Sequence, residues 1–130
     1  MMMLHKKHFS LEQANSILKK IRPLVEEMVS MKQILDRKGF DIYRHQYFGG
    51  EGPNGTGAFP PEMDALIEDI KSITSEGIII KGIDSGLLDF PYIRSTGEEI
   101  YLCWKLGEDN IGFWHTISGG FSGRKLIDKL

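Results

Sequence analysis

The sequence predicts an α+β protein, an antiparallel helical hairpin packed on a small antiparallel meander of three to four strands. Three observations predict it. A helical apolar period starts at Ser10 and runs into the forties, and a shorter one follows Pro60-Pro61. From Ile78 onward the period drops to two. Helices first and strands after, without alternation, place the strands together on one side of the hairpin. At 130 residues the chain reads as one domain over 1–130: a hairpin over 10–76 with a glycine-rich loop at 49–57, then a meander and tail over 78–124.

The first helix begins with Ser10-Leu11-Glu12-Gln13, the spacing of a capping box, with Phe9 placed to staple the first turn. Ile17, Ile21, Leu24, Met28, Met31 and Leu35 then alternate four- and three-residue steps as a heptad seam, which Leu18 and Val25 widen into a core-facing stripe. Pro23 falls inside this pattern, which continues through it, so a kink is expected there and not an end. Gly39 after Arg37-Lys38 suits a stop. Asp36, Phe40, Tyr43 and Tyr47 nevertheless repeat the four-three-four step, and the reading carries the helix on to about Phe48. Gly49–Gly57 is loop.

The second helix starts at Pro60-Pro61, shows Met63, Leu66, Ile67, Ile70 and Ile73 on one face, and stops at Gly77. A first helix reaching Phe48 overhangs the second and exposes Phe40, Tyr43 and Tyr47. A second copy of the chain is the simplest cover for such a patch, so a homodimer or higher homo-oligomer through the long, coiled-coil-like helix is expected. Strands follow at Ile78–Lys81, Pro91–Arg94, Glu99–Leu106 and Ile111–Ile117, and the glycine-rich stretch to Gly123 reads as coil.

Composition narrows the setting. The hydrophobic fraction of 41% and charged fraction of 26% are those of an ordinary globular protein. A net charge of −2 gives no electrostatic case for nucleic acid. No apolar run approaches the ~20 residues needed to span a bilayer, so no membrane role is expected. The single cysteine excludes an internal disulfide, and the opening MMMLHKKHF lacks the apolar core of a signal peptide. The expected location is the cytoplasm.

Gly50-x-Gly52-x-x-Gly55 matches the dinucleotide fingerprint, but it lacks the preceding strand and the adjoining helix that the mechanism needs, and it reads as flexible loop. Cys103 and His115 are the natural nucleophile–base or metal pair, and strand parity tests them. A three-residue connection puts Cys103 opposite His115. A four-residue connection at Gly107–Asn110 groups His115 with Ile100, Leu102, Trp104, Leu106, Ile111, Phe113 and Ile117 and turns Cys103 away. The second arrangement collects the apolar residues and is preferred, which makes His115 a hydrogen-bonded core residue and Cys103 a small hydrophobe.

The pool of oxygen and nitrogen ligands in this half is Asp84, Asp89, Glu108, Asp109 and His115, of which Asp89, Glu108 and His115 are the weak candidates for a metal. Asp89, before Phe90-Pro91, suits local backbone bonding, and Glu108 suits a turn. Arg124 follows a glycine-rich stretch and offers a fork for an anion, but pairing with Asp89 or Glu108 to pin the tail is favoured. Trp104 and Trp114 are more natural in a core than on a ligand. His5 and His8 read as a solvated end segment.

Several residues in order carry a resemblance. They are Phe9-Ser-Leu-Glu-Gln-Ala-Asn15, Arg22-Pro23, Gly86-Leu-Leu-Asp-Phe-Pro91, Gly97, Tyr101-Leu-Cys-Trp104, Gly107-Glu108, Trp114-His115 and Gly120-Phe-x-Gly-Arg124. With these the chain resembles the family catalogued as domain of unknown function 2203, small prokaryotic proteins. The Gly49–Gly57 insert and Lys125-Leu126 depart from that pattern. The resemblance implies a helical hairpin with a small sheet and lends no reaction and no cofactor.

Two functions follow as expectations. The first is a self-associating interaction module with a recognition rim of Asp89, Glu108, His115 and Arg124, to which Trp104 is a further binding candidate. The second is a small metal-dependent or histidine-based hydrolase. It uses His115 as general base, Asp89 or Glu108 to orient it or hold a metal, and Arg124 for an anionic group.

Overall fold

The computed structural model describes residues 3–45 and 59–130. Helix α1 spans Leu11–Arg37 and carries the predicted capping box: the Ser10 hydroxyl accepts from the Gln13 amide at 3.0 Å, and Gln13 Oε1 accepts from the Ser10 amide at 2.9 Å. It runs through Pro23 and buries Ala14, Leu18, Ile21, Val25, Met28 and Leu35.

The helix does not continue to Phe48. Gly39 takes φ +76°, its amide donates to the Asp36 carbonyl, and the Phe40 amide reaches back to the Leu35 carbonyl at 2.8 Å. This is a Schellman stop, which closes the ladder and redirects the chain. A short helix α2, Ile42–His45, follows. Phe40 and Ile42 are buried in their own subunit, with Phe40 edge-on to Phe59 at 5.9 Å. The four-three step at Asp36, Phe40 and Tyr43 therefore marks a turn and not a continued stripe. Tyr47, the glycine-rich loop and its dinucleotide-like pattern lie outside the described residues.

Helix α3, Pro61–Thr74, packs antiparallel on α1 through Met63, Leu66 and Ile73. Lys38 pairs with Glu62 at 2.7 Å near one end and Lys20 with Glu76 at 3.6 Å near the other. The spare length of α1 is thus its first two turns, not its C-terminal end. Those turns are used within the chain. Phe9 packs edge-on to Phe90 at 5.5 Å, and Asn15 Oδ1 accepts from the Ile111 amide at 2.9 Å. The aromatic overhang from which self-association was expected does not form at Phe40.

Five strands, β1 (Ile79–Gly82), β2 (Leu87–Ile93), β3 (Glu99–Lys105), β4 (Phe113–Thr116) and β5 (Lys125–Leu126), form one antiparallel sheet in sequence order. The fifth strand, one more than the three to four expected, follows the glycine-rich stretch that read as coil. One face packs Leu88, Phe90, Ile100, Leu102, Trp104 and Trp114 into the core with the helices. Gly86 lies close to α1: at φ +68°, an added Cβ there would meet Leu106 Cβ at 2.8 Å and Val25 Cγ1 at 3.0 Å. Among the described residues no helix is long and apolar enough to cross a membrane.

The β3–β4 register is Ile100↔Thr116, Tyr101↔His115, Leu102↔Trp114 and Cys103↔Phe113. The expected faces are therefore reversed: Cys103 and His115 share one face, opposite to the core face that holds Trp104. An odd number of residues connects the two strands instead of four. The physical gain is that Trp114 enters the core in place of the smaller, polar imidazole.

Candidate functional site

On the sheet face away from the core, three adjacent strands each contribute one chemically active side chain. Asp89 pairs in register with Cys103 across β2–β3, and His115 lies one step along on β4, opposite Tyr101. Asp89, Cys103 and His115 are 1%, 0% and 2% exposed. One potential ligand atom from each lies within 4.8 Å of the others.

The hydrogen bonds fix the imidazole. His115 Nδ1 lies 2.7 Å from the Thr116 carbonyl oxygen, which only accepts, so Nδ1 carries a proton and donates. Nε2 faces both Asp89 oxygens, at 3.0 and 3.1 Å. Burial pushes the Asp89 carboxyl above its ordinary value, against the opposing pull of His115, Lys81 and the Cys103 thiol. Burial, reinforced by the charge of Asp89, pushes the Cys103 thiol up to about 12. Cys103 is therefore a neutral thiol bonded to Asp89, and not the thiolate that a cysteine–histidine nucleophile needs.

The surroundings are partly charged. Lys81 Nζ stands 3.9 Å from Asp89 Oδ2 and 4.9 Å from the centre of the Tyr101 ring. Tyr101 packs edge-on to His115 at 5.5 Å, and its hydroxyl is 2.6 Å from His5 Nε2.

The remaining predicted site residues lie elsewhere. Glu108 accepts from the Lys105 amide at 2.8 Å and pairs with Arg124 at 2.5 Å, so Arg124 pins the tail as favoured. Arg124 also stacks 3.7 Å from the centre of Phe113. Trp104 is fully buried on the core face, its Nε1–H donating to the Glu108 carbonyl at 2.9 Å. Asp84 binds Lys32 at 2.8 Å, and the Asp109 carbonyl accepts from Arg22. Asp89 is not a local backbone cap but a mid-strand partner of His115.

Sequence reasoning missed the N-terminal strap. The Glu99 carboxylate accepts from the Leu4 and His5 amides at 2.7 and 3.0 Å and contacts His8 Nε2 at 2.7 Å. The Phe9 amide adds a bond to the Pro91 carbonyl at 2.8 Å. His5 and His8 thus tie the chain start to the sheet and are not free in solvent. No periodicity signals this, since it joins groups more than ninety positions apart. Beside the strap lies a groove of about 1000 Å³, bounded by Met3, Leu4, the β2–β3 turn from Thr96 to Glu99, and Ile117. It includes none of the three buried groups.

The chain matches the family described as uncharacterized conserved protein (DUF2203) over residues 7–127, and it belongs to that family. No curated protein and no solved structure matches it.

Proposed function

We propose that this member of the domain of unknown function 2203 family is a metal-binding protein. Asp89 Oδ, Cys103 Sγ and His115 Nε2 hold a zinc-class divalent ion. The observation that carries the reading is the convergence of one oxygen, one sulfur and one nitrogen donor within 4.8 Å. Tetrahedral zinc requires separations of about 3.4–3.6 Å between such ligand atoms, given bonds of ~2.0–2.3 Å, so shifts of the order of an ångström or less suffice.

The second support is the tautomer. Metal-bound histidines commonly donate their other ring nitrogen to a carbonyl or carboxylate, and His115 Nδ1 already does so to Thr116. An ion supplies the positive charge that lets Cys103 and Asp89 ionise in a buried setting. Three protein ligands leave a fourth coordination position open.

The same three groups would suit the metal-dependent hydrolase expected from sequence, with Cys103 in place of Glu108. Exposures of 2% or less leave an organic substrate no route to them, whereas a bare ion needs only side chains to part. Binding, not turnover, is the reading these exposures favour.

Titration with Co²⁺ tests it. The expected result is one equivalent bound, with a sulfur-to-cobalt charge-transfer band, and loss of that band in Cys103→Ser and His115→Ala. Folded protein that takes up neither Co²⁺ nor Zn²⁺ at micromolar concentration refutes the proposal. Equal binding by folded Cys103→Ser refutes it as well.

A further inference from the structure

Lys81 occupies an irregular position. The β1–β2 register runs Ile79↔Asp89, Ile80↔Leu88 and then Gly82↔Leu87, which leaves Lys81 as the extra residue of a bulge. Bulges take a residue out of the ladder and re-aim its side chain. Here the side chain leans over the buried triad, with Nζ 3.9 Å from Asp89 Oδ2 and 4.9 Å above the Tyr101 ring. Gly82, next in the chain, permits the tight return, because a Cβ there would meet Ser85 Oγ at 2.7 Å.

The distance is informative. At 3.9 Å the ammonium lies beyond hydrogen-bond range, and both Asp89 oxygens are instead directed at His115. Lys81 therefore supplies charge to Asp89 without occupying its lone pairs. Its side chain is 41% exposed, against 1% for Asp89, so it borders both the solvent and the buried acid. The bulged strand thus holds a tethered monovalent cation beside a buried acid–thiol–imidazole cluster.

Taking as given the metal reading of that cluster, we infer that Lys81 is an electrostatic gate that an incoming divalent ion must displace. An ion bound to Asp89 would stand within a few ångströms of the ammonium, and repulsion drives the lysine out into solvent. The gate sets a threshold: a divalent ion held by sulfur and nitrogen as well as oxygen overcomes it, and a monovalent ion does not. Metal affinity is then tuned from β1 by a residue that is not itself a ligand.

Co²⁺ titration of Lys81→Met, Lys81→Gln and Lys81→Arg against the unaltered chain tests the gate. Removing a unit charge a few ångströms from a divalent ion near a protein surface should tighten binding by about ten- to a hundredfold. Lys81→Met and Lys81→Gln should both show this, with the difference from the unaltered chain shrinking as salt rises. Lys81→Arg should stay within about threefold of the unaltered chain, because it keeps the charge. Equal or weaker binding by both neutral variants overturns the gate while leaving the metal site standing. Failure of the unaltered chain and both neutral variants alike to bind Co²⁺ overturns the metal site and the gate together.

Discussion

Asp69 on α3 is 4% exposed and shares a hydrogen bond with Glu27 on α1. Its Oδ2 has no partner among the described residues. Burial first, then Glu27 and the charge of Glu68, push its carboxyl from 3.8 up to about 7. The folded chain therefore keeps a proton that the unfolded chain releases. Stability from this group is fully present below the unfolded value, falls as pH rises towards about 7, and is level above it. At ~1.4 kcal/mol per unit, the whole rise corresponds to about 4 kcal/mol. Glu27 is exposed, so solvent screens the pair, and about 1–2 kcal/mol is the expected observable effect. Asp69→Asn removes the titration and lets an amide N–H donate to Glu27. Denaturant unfolding of both chains at several pH values from 4 to 8 measures the difference. The variant should match the unaltered chain at pH 4 and exceed it by about 1–2 kcal/mol at pH 8, as its group no longer titrates. Parallel stability curves across that window would refute the reasoning.

Two further perturbations test the fold around the sheet. Gly86→Ala combines a positive φ with contacts at 2.8 and 3.0 Å and should cost roughly 2–4 kcal/mol. Gly97→Ala, at φ +91° with nothing within 4 Å, should cost only about 1 kcal/mol in the same denaturant assay. Equal losses would mean that α1 does not press on Gly86. Burial opposes ionisation of Glu99, but its bonds to His8 and to the Leu4 and His5 amides outweigh this and hold the carboxyl below its ordinary value. Strap protection should therefore be complete above the ordinary glutamate range and be lost as pH falls through the depressed value. Hydrogen exchange at the Leu4 and His5 amides should quicken about tenfold or more in Glu99→Gln, as a charged acceptor is lost, with global stability little changed. Unchanged exchange would show that something other than Glu99 holds the strap.

The sequence by itself determined what is decided within a few residues. Ser10 and Gln13 are three apart and meet within one helical turn, so the capping box and the start of α1 were legible. Ile21, Met28 and Leu35 of the predicted seam, with Leu18 and Val25 that widened it, are buried, whereas its members Ile17, Leu24 and Met31 are half-buried at the edge of that face. Pro60-Pro61 and Gly77 bounded the second helix, and the drop to a period of two announced the meander. The stop at Gly39 was also written locally, but the spacing of Phe40 and Tyr43 imitates a helix, and only the burial of Phe40 against Phe59 separates the two.

What tertiary structure alone decided is which strand faces coincide. Asp89, Cys103 and His115 stand on three different strands, and a change of one residue in a connecting turn moves an entire strand to the other face. Local pattern favoured an even connection because it collected apolar residues beside His115. The fold instead uses an odd one, since placing both indoles in the core buries more apolar surface than placing one. The imidazole then meets Asp89 and Cys103 on the other face, where the Asp89 carboxylate and the Thr116 carbonyl satisfy its two nitrogens.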